Sequence, residues 1–485
     1  MQTIREANRK SFLSDQAITF LILAAVLITI PRWNGIEGKQ QSFDEGVYHQ
    51  LGYQLMLNPT HYSLVEYYRY LKEELKDPRT VEYLNAPLFK HPPLYSYLIS
   101  LSYRLFGVKT QAALFVSMFF AIATAFVVFY LASLAFDRRC GLLAALFLLM
   151  DPVHWLCSQK IWIETTYVFF VYLGLLLLVI GLEKKSQVLI FSGIAFGLSF
   201  VSKYFAALPY VGVLLFLILQ PSLPPKKHFL LFLAMPLAVL SPWILWNMNV
   251  YGPDLLTEVI KSQQHTYSEQ SQIYLMRYAM IAGTALLLFL TLAALRIFAD
   301  AFLEKPKAFA QKFIANRTSR KALTILALAL CVIAVYRWVN PKAFLFTYEA
   351  NLTQEMNFFW KEPRTFYLTR LPELSPVYIF SFLSILFIAQ WKKYSFLLLF
   401  TALTTIIFVS RFGAYETRYI LAAMPALLVL ASDMLVRTYD MLKASPLHAL
   451  RTLRWLIPLA TIYLAAKVLW FDLRAVNSPG VWFQL

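Results

Sequence analysis

Long apolar runs recur along the whole chain, and they constrain its fold more than any other feature of the sequence. Many of them approach the roughly 20 residues that a helix needs to cross the ~30 Å hydrocarbon layer of a bilayer. A helix satisfies its own backbone hydrogen bonds, which lipid cannot do. Hydrophobic residues make up 59% of the chain and charged residues 15%, an apolar excess that a soluble domain does not need. We therefore expect an all-α protein that crosses the membrane many times.

The apolar runs predict about thirteen spans, with boundaries good to a few residues. The spans are 17–30, 110–136, 140–157, 163–182, 187–202, 204–220, 229–250, 278–297, 322–340, 376–391, 395–410, 419–436 and 455–470. A further apolar stretch, 93–106, has the pattern of an amphipathic helix at the outer interface. No internal repeat and no separate soluble domain is evident, so residues 1–485 are expected to form a single membrane module.

The formal net charge is +17, and the basic residues lie largely at the ends of the apolar runs. That position favours membrane orientation and contacts with anionic lipid headgroups over nucleic-acid binding. Short connections with basic doublets are assigned to the cytoplasm: Arg138-Arg139, Lys184-Lys185, Lys226-Lys227 and Lys392-Lys393. The N-terminus is then cytoplasmic, and the outer side carries a first loop, 31–109, and a late loop, 341–375. We expect a multi-pass protein of the inner cell membrane.

The three cysteines, Cys140, Cys157 and Cys331, are scattered through apolar runs. They have neither metal-site spacing nor the pattern of a disulfide framework, so we expect them to pack among other side chains. No set of residues has the ligand spacing of a dedicated metal site, and no cofactor is expected. The first apolar run lacks a small-residue cleavage site and is expected to be a retained anchor.

The first loop opens with QSFDEG, residues 41–46, in which Ser42 and Glu45 fit a Ser-x-x-Glu capping box. A helix should begin here, with Asp44 in its first turn, where the helix dipole favours an ionised carboxylate. Two adjacent carboxylates at an outer membrane surface could serve as a general base and a positioning group. The alternative is that both belong to an ordinary acidic first turn.

The same loop ends with KHPPLYSYL, residues 90–98, in which Pro92 and Pro93 suit the start of a helix. Lys90 and His91 precede that helix, and cations beside free backbone N–H groups suit a phosphate. The alternative is that Lys90 extends to lipid headgroups and His91 caps locally.

Charged residues at the ends of later apolar runs are further candidates. Glu164 and Lys203 are at such positions, and ionisable groups at membrane depth are often functional, although both could face outer water. Arg418 lies beside a span in a short outer turn with Glu416. A lipid phosphate would suit Arg418 there, and a local ion pair is the alternative. Asp151 precedes a proline and is expected to cap a turn.

Several motifs together resemble the GT-C membrane glycosyltransferases of the protein O-mannosyltransferase and lipid A aminoarabinose transferase superfamily. They are FDEG after the first span (43–46), HPPLYSYL (91–98), FYLTRLPELSPVYIF (366–380) and YETRYILAAMPALLVL (415–430). Their order and their position on one side of the membrane carry the resemblance, which extends over nearly the whole chain. It implies a GT-C fold.

The resemblance also implies an activity. Such enzymes move a sugar, with inversion, from a polyprenyl-phosphate donor to a lipid, glycan or protein acceptor at the outer face. Asp44 matches the first-loop aspartate, as base or orienting group, and Glu45 matches its acidic partner. Lys90, His91 and Arg418 would contact the donor phosphate. The remaining assignments are Arg370 to the donor phosphate and Tyr48, Glu164, Lys203 and Tyr367 to the cavity lining.

Two departures leave the acceptor class open. Aminoarabinose transferases usually carry a folded domain after the last span, and protein mannosyltransferases carry one in a middle outer loop; neither fits this sequence. Two other functions compete. A transporter or flippase for a lipid-linked sugar would usually show internal repeats, and an O-antigen-type ligase or polymerase tends to carry its large outer loop late in the chain.

Overall fold

A computed structural model of the chain describes residues 16–34, 43–64, 91–220, 224–252, 366–385, 387, 392–410 and 416–477. Over these ranges the regular elements are helices. They are α1 (Gln16–Asn34), α2 (Phe43–Leu57), α3 (Leu94–Phe106), α4 (Thr110–Ala135), α5 (Arg138–Met150), α6 (Pro152–Ser158), α7 (Glu164–Glu183), α8 (Val188–Ser202), α9 (Ala207–Ile218), α10 (Lys226–Tyr251), α11 (Phe366–Leu374), α12 (Val377–Leu383), α13 (Lys393–Val409), α14 (Met424–Ala444), α15 (His448–Leu453) and α16 (Leu456–Asn477). Short 3₁₀ turns precede α9 and α14, at Tyr204–Ala206 and Thr417–Ile420.

Three of the described helices, α4, α7 and α10, are long and apolar enough to cross a membrane. They confirm helices at the predicted spans 110–136, 163–182 and 229–250. The pair α5 and α6 would together make a fourth span, and α1, α8, α9 and α13 contain shorter apolar helices. The predicted spans 278–297 and 322–340 lie outside the described residues, so the total of about thirteen stays a prediction.

The predicted span 140–157 is not one straight helix, because α5 and α6 meet at a bend of 61°. Pro152 has no N–H to continue α5, and a residue before proline avoids the helical conformation. Asp151 is accordingly extended, and its carboxylate accepts hydrogen bonds from the N–H groups of Val153 and His154, which caps α6. The expectation that Asp151 caps a turn is confirmed.

Two other predicted boundaries differ from the structure. The span predicted at 419–436 begins later, as α14, and continues to Ala444. The 3₁₀ turn before it, Thr417–Ile420, holds Arg418 outside the helix. Of the predicted span 376–391, α12 occupies Val377–Leu383, and residues 388–391 lie outside the described part of the chain.

The helices pack as a bundle around one large apolar core. Helix α4 packs against α5 and α7, α7 against α8, and α8 against α10, while α14 packs against α5 and α12. A glycine allows α9 and α13 to approach closely, since a Cβ at Gly212 would lie 2.5 Å from the Phe400 carbonyl oxygen. Large apolar side chains such as Phe119, Leu237 and Ile462 are more than half exposed. Such exposure is costly in water and suits a lipid-facing surface.

The first-loop helices α2 and α3 pack against each other, and α3 also packs against α4. Tyr48 of α2 joins Tyr95, Ile99 and Tyr103 of α3 in a second apolar cluster that includes residues of α4. This packing holds α2 against α3, and the predicted helix start is confirmed. The membrane-interface position of α3 stays a prediction.

Candidate active site

The Asp44 side chain projects from the first turn of α2 and meets Arg418 from the 3₁₀ turn before α14. Arg418 Nη2 lies 2.9 Å from Asp44 Oδ2. The Asp44 side chain is 36% exposed and that of Arg418 is 12% exposed. A mostly buried guanidinium therefore holds a carboxylate that keeps an open side, which a substrate could reach.

Further contacts fix the Arg418 side chain. Its Nε donates to the Glu416 carboxylate, whose other oxygen accepts a hydrogen bond from the Tyr419 hydroxyl. The guanidinium carbon lies 4.3 Å from the Trp162 ring centre and 5.3 Å from that of Tyr419. Cation–π contacts at these distances are attractive and strengthen where water is excluded. Arg418 is thus oriented by two carboxylates and two aromatic rings.

A second ion pair lies beside the first. Glu164, the first residue of α7, accepts from Lys203 at the end of α8, with 2.6 Å between Oε1 and Nζ. The Lys203 ammonium also lies 5.0 Å from the ring centre of Tyr419, the same ring that Arg418 contacts. The rings of Tyr167 and Phe205 complete its surroundings. Tyr419 therefore links the two ion pairs into one cluster.

Glu164 is only 1% exposed, and its Oε2 atom has no hydrogen-bond partner within the described ranges. A buried carboxylate oxygen is costly to leave without a donor. Its Oε2 atom therefore keeps an unused capacity to accept a hydrogen bond within the described part of the site.

His91 is held against α2 from the other end of the first loop. Its Nδ1 is hydrogen-bonded to the Tyr48 hydroxyl at 3.0 Å, and its carbonyl oxygen accepts from the Tyr62 hydroxyl at 2.7 Å. Tyr48 lies one turn after Asp44 on α2, so the structure brings His91 close to Asp44. Lys90, the residue before His91, lies outside the described residues.

Burial and nearby cations compete at Asp44. Burial is the largest single influence and on its own would raise the pKa of this carboxyl group. The positive charges of Arg418, His91 and Lys203 and the hydrogen bond from Arg418 outweigh it, so the pKa of Asp44 lies below its ordinary value. Burial, together with the charges of Asp44 and Glu164, raises the pKa of Tyr48 well above its ordinary value. At neutral pH the site thus contains an ionised Asp44 and a neutral Tyr48.

Glu45 points away from Asp44 into a separate buried contact. Its Oε2 lies 3.1 Å from Lys160 Nζ, and its Oε1 accepts from the Ile161 N–H at 3.1 Å. Both side chains of the Glu45–Lys160 pair are less than a tenth exposed. This geometry suits a positioning group better than a proton acceptor.

The late-loop candidates lie on α11. The Tyr367 hydroxyl donates to the Glu416 carbonyl oxygen at 3.2 Å, which connects this residue to the turn that carries Arg418. Arg370 pairs with Glu373 of its own helix at 2.9 Å and covers the Phe366 ring. A contact of Arg370 with a donor phosphate stays a prediction.

The aromatic residues of the cluster were not predicted from the sequence. Trp162, Tyr419 and Phe205 lie near the ends of apolar runs, where aromatic residues are expected to belong to the membrane-interface belt. Tyr419 and Phe205 lie beside the cationic residues Arg418 and Lys203 in the sequence, which was the one available signal, and Trp162 had none. In the described ranges, the His, Cys, Asp and Glu side chains form no group of three or more that could hold a metal ion.

A comparison with family models and curated proteins gives one match. Residues 90–246 match the model of the dolichyl-phosphate-mannose-protein mannosyltransferases. No curated protein sequence matches the chain. The matched residues include His91, Lys160, Glu164 and Lys203.

Solved structures give the likeness of the whole fold. The oligosaccharyltransferase of Archaeoglobus fulgidus in its apo form aligns with a TM-score of 0.57 at 14% identity, over 95% of this chain and 56% of that one. AglB of the same organism, in complex with an inhibitory peptide and a dolichol-phosphate, aligns with a TM-score of 0.54 at 16% identity, over 96% and 56%. ArnT from Cupriavidus metallidurans bound to undecaprenyl phosphate gives 0.47 at 12% identity, over 96% and 76%. The chain thus spans just over half the length of the oligosaccharyltransferase chains that it resembles.

Proposed function

Because the chain has the fold of the GT-C glycosyltransferases, we propose that it transfers a sugar from a polyprenyl-phosphate donor to an acceptor. Transfer inverts the configuration at the anomeric carbon and takes place at the outer face of the membrane. The acceptor is a lipid, a glycan or a protein. A dolichol-phosphate in the similar AglB structure supports a lipid-phosphate donor.

One observation carries the proposal: two carboxylates, Asp44 and Glu164, each pair with a cation, and one aromatic ring joins the pairs. A group-transfer site needs a base beside the acceptor and positive charge beside the leaving phosphate. Asp44 is ionised and partly open, which suits the base. His91, Lys203 and Arg418 supply the positive charge, since the five N–H donors of Arg418 are not exhausted by Asp44 and Glu416.

In the proposed step the sugar passes from the lipid phosphate to the acceptor oxygen. The acceptor oxygen forms a bond to the anomeric carbon and gives its proton to Asp44. The bond from that carbon to the lipid phosphate breaks, and its electron pair leaves with the phosphate. The phosphate gains negative charge in the transition state, so cations that meet it there lower the barrier. The Oε2 of Glu164, which has no hydrogen-bond partner among the described residues, accepts a hydrogen bond from a sugar hydroxyl.

Transfer by the purified chain in proteoliposomes tests the proposal. The vesicles receive a labelled polyprenyl-phosphate sugar together with cell-envelope extract as the acceptor source, and the expected product is a new labelled glycoside. Asp44→Asn should lower the rate by about 10²–10⁴-fold, because it removes the base and keeps the shape. The matched control is Asp440→Asn, which changes an exposed carboxylate paired with Arg139 and should leave the rate unchanged.

The same assay separates the alternatives. His91→Ala should raise the donor KM, because a side chain that can contact the phosphate is lost. A wild-type rate in Asp44→Asn would remove this residue as the base. Movement of the labelled lipid across the bilayer without bond formation would instead identify a transporter.

A further inference from the structure

The connection between α6 and α7 contacts two groups that together determine the position of Asp44. From this connection, Lys160 reaches the residue next to Asp44 in the chain, and Trp162 reaches the cation that pairs with Asp44. Residues 160–162 are here called the 160–162 segment. No motif of the sequence assigned a role to Trp162.

The first contact fixes the start of α2. Lys160 and the Ile161 N–H together occupy both oxygens of Glu45, in a place where the two charged side chains are less than a tenth exposed. Hydrogen bonds to ionised groups are the stronger ones, and they strengthen further where water is excluded. Because Asp44 and Glu45 share a peptide bond, a fixed Glu45 also restrains the backbone from which Asp44 projects.

The second contact fixes the partner of Asp44. The Trp162 ring lies under the Arg418 guanidinium at 4.3 Å. The Trp162 backbone is itself anchored, because its carbonyl oxygen accepts from the Ser117 hydroxyl of α4, which is hydrogen-bonded to the Tyr95 hydroxyl of α3. The ring is therefore a fixed surface on which a long, flexible arginine side chain can rest.

Both contacts affect the distance between the Asp44 carboxylate and the acceptor oxygen that gives it a proton. Asp44 is more than a third exposed, so burial alone does not fix its side chain. A misplaced catalytic group lowers the rate of the chemical step even when the fold is intact. We propose that the 160–162 segment is a positioning element, in which Lys160 acts through Glu45 and Trp162 acts through Arg418 to keep Asp44 aligned for proton transfer. This inference rests on the proposed function, in which Asp44 is the base.

Trp162→Leu tests the ring contact in the full-length protein in proteoliposomes. Loss of the ring should release Arg418 from Asp44 and lower kcat by about tenfold. The acid limb of the pH–rate profile should also move to higher pH, because a released Arg418 no longer lowers the pKa of Asp44. Trp162→Phe keeps an aromatic face, so it should restore most of the kcat and most of the wild-type position of the acid limb. Trp455→Leu is the matched control, since this exposed ring lies under Arg454 away from the site. The control should change neither kcat nor the acid limb.

Lys160 needs a pair of variants, because Lys160→Met leaves the buried Glu45 charge without its partner and also lowers stability. The double variant Lys160→Met with Glu45→Gln removes that charge, so its Tm should recover. In both variants the acid limb of the pH–rate profile should lie at higher pH than in the wild type. If the limb and kcat return to wild-type values together with the Tm, Lys160 only compensates a charge and its positioning role is overturned. Lys393→Met, which breaks the exposed pair with Glu183, is the control.

A structural measurement separates failure of this inference from failure of the proposed function. Absence of transfer by the wild-type protein would overturn the function. Electron cryo-microscopy of the wild type, Trp162→Leu and the Lys160 double variant then tests the segment without any activity. The Asp44–Arg418 contact should be lost in the variants while the Glu164–Lys203 pair remains. An unchanged Asp44–Arg418 contact in both variants would overturn the positioning role.

Discussion

The protonation of Asp44 illustrates how neighbouring residues set the chemistry of the site. A carboxylate that loses water is harder to ionise, and burial is indeed the largest influence on this group. Three cations from different parts of the chain, Arg418, His91 and Lys203, reverse that effect. Their convergence makes Asp44 able to accept a proton at neutral pH, and most of the reversal depends on Arg418.

The pH dependence of transfer follows from this balance. A base works when deprotonated, and the pKa of Asp44 is lowered, so the wild-type rate should stay level as the pH falls to the ordinary range of an aspartate. Arg418→Gln removes the main lowering influence and leaves burial in place. The acid limb of kcat/KM should therefore move to higher pH in this variant. Profiles measured beside Arg139→Gln, an exposed arginine paired with Asp440, check the prediction. An unmoved limb would show that Arg418 does not control the base.

At the scale of elements, the pairing of α2 with α3 carries the first-loop residues. Asp44 and Tyr48 lie on α2, and His91 directly precedes α3. The two helices approach closely at Gly52, where an added Cβ would lie 2.9 Å from the Ile99 Cβ. At the end of α2, Arg104 of α3 donates to the Met56 carbonyl oxygen at 3.1 Å. The helices are therefore held at several points, and the glycine sets their separation.

Gly52→Ala tests this separation. Alanine favours a helix by about 1 kcal/mol over glycine, but the close approach to Ile99 opposes it, and overpacking costs about 1–3 kcal/mol. We expect a net loss of Tm and of transfer rate, because α2 and α3 move apart. The double variant Gly52→Ala with Ile99→Ala removes the obstructing atoms and should lose less than the sum of the two single variants. Simple additivity in thermal unfolding would contradict the close-contact explanation.

At the scale of the whole molecule, the site and the basic connections lie at opposite ends of the bundle. Helix α7 begins with Glu164 in the site and ends at Glu183, beside Lys184 and Lys185. Its 20 residues correspond to about 30 Å at 1.5 Å per residue. Helix α14 likewise starts after the Arg418 turn and ends near Asp440, which pairs with Arg139. The separation agrees with the assignment of the basic end to the cytoplasm, which stays a prediction.

Helix positions were predictable because apolar length depends only on local sequence, and α4, α7 and α10 fall where the runs placed them. The break at Asp151 also had a local signal, since proline follows it, and the sequence predicted a cap there, although the apolar run 140–157 continues through Pro152. The contacts of the site had no such signal. Trp162 under Arg418 joins segments far apart in the chain, and spacing along a sequence does not determine which distant side chains meet. The nearness of Asp44 to Arg418 was expected from the family resemblance and not from spacing.

Cysteine labelling decides which end faces outward. Cys140 and Cys157 are buried, and all three native cysteines are first replaced by serine. A cysteine is then placed at His61, in the exposed turn after α2, or at Lys185. Lys185 is exposed just after α7, at the end of this helix away from Glu164. A membrane-impermeant maleimide should label position 61 in intact cells and position 185 only after the membrane is permeabilised. The reverse pattern would place Asp44 at the cytoplasmic face, and an outer-face transfer reaction would then be impossible at this site.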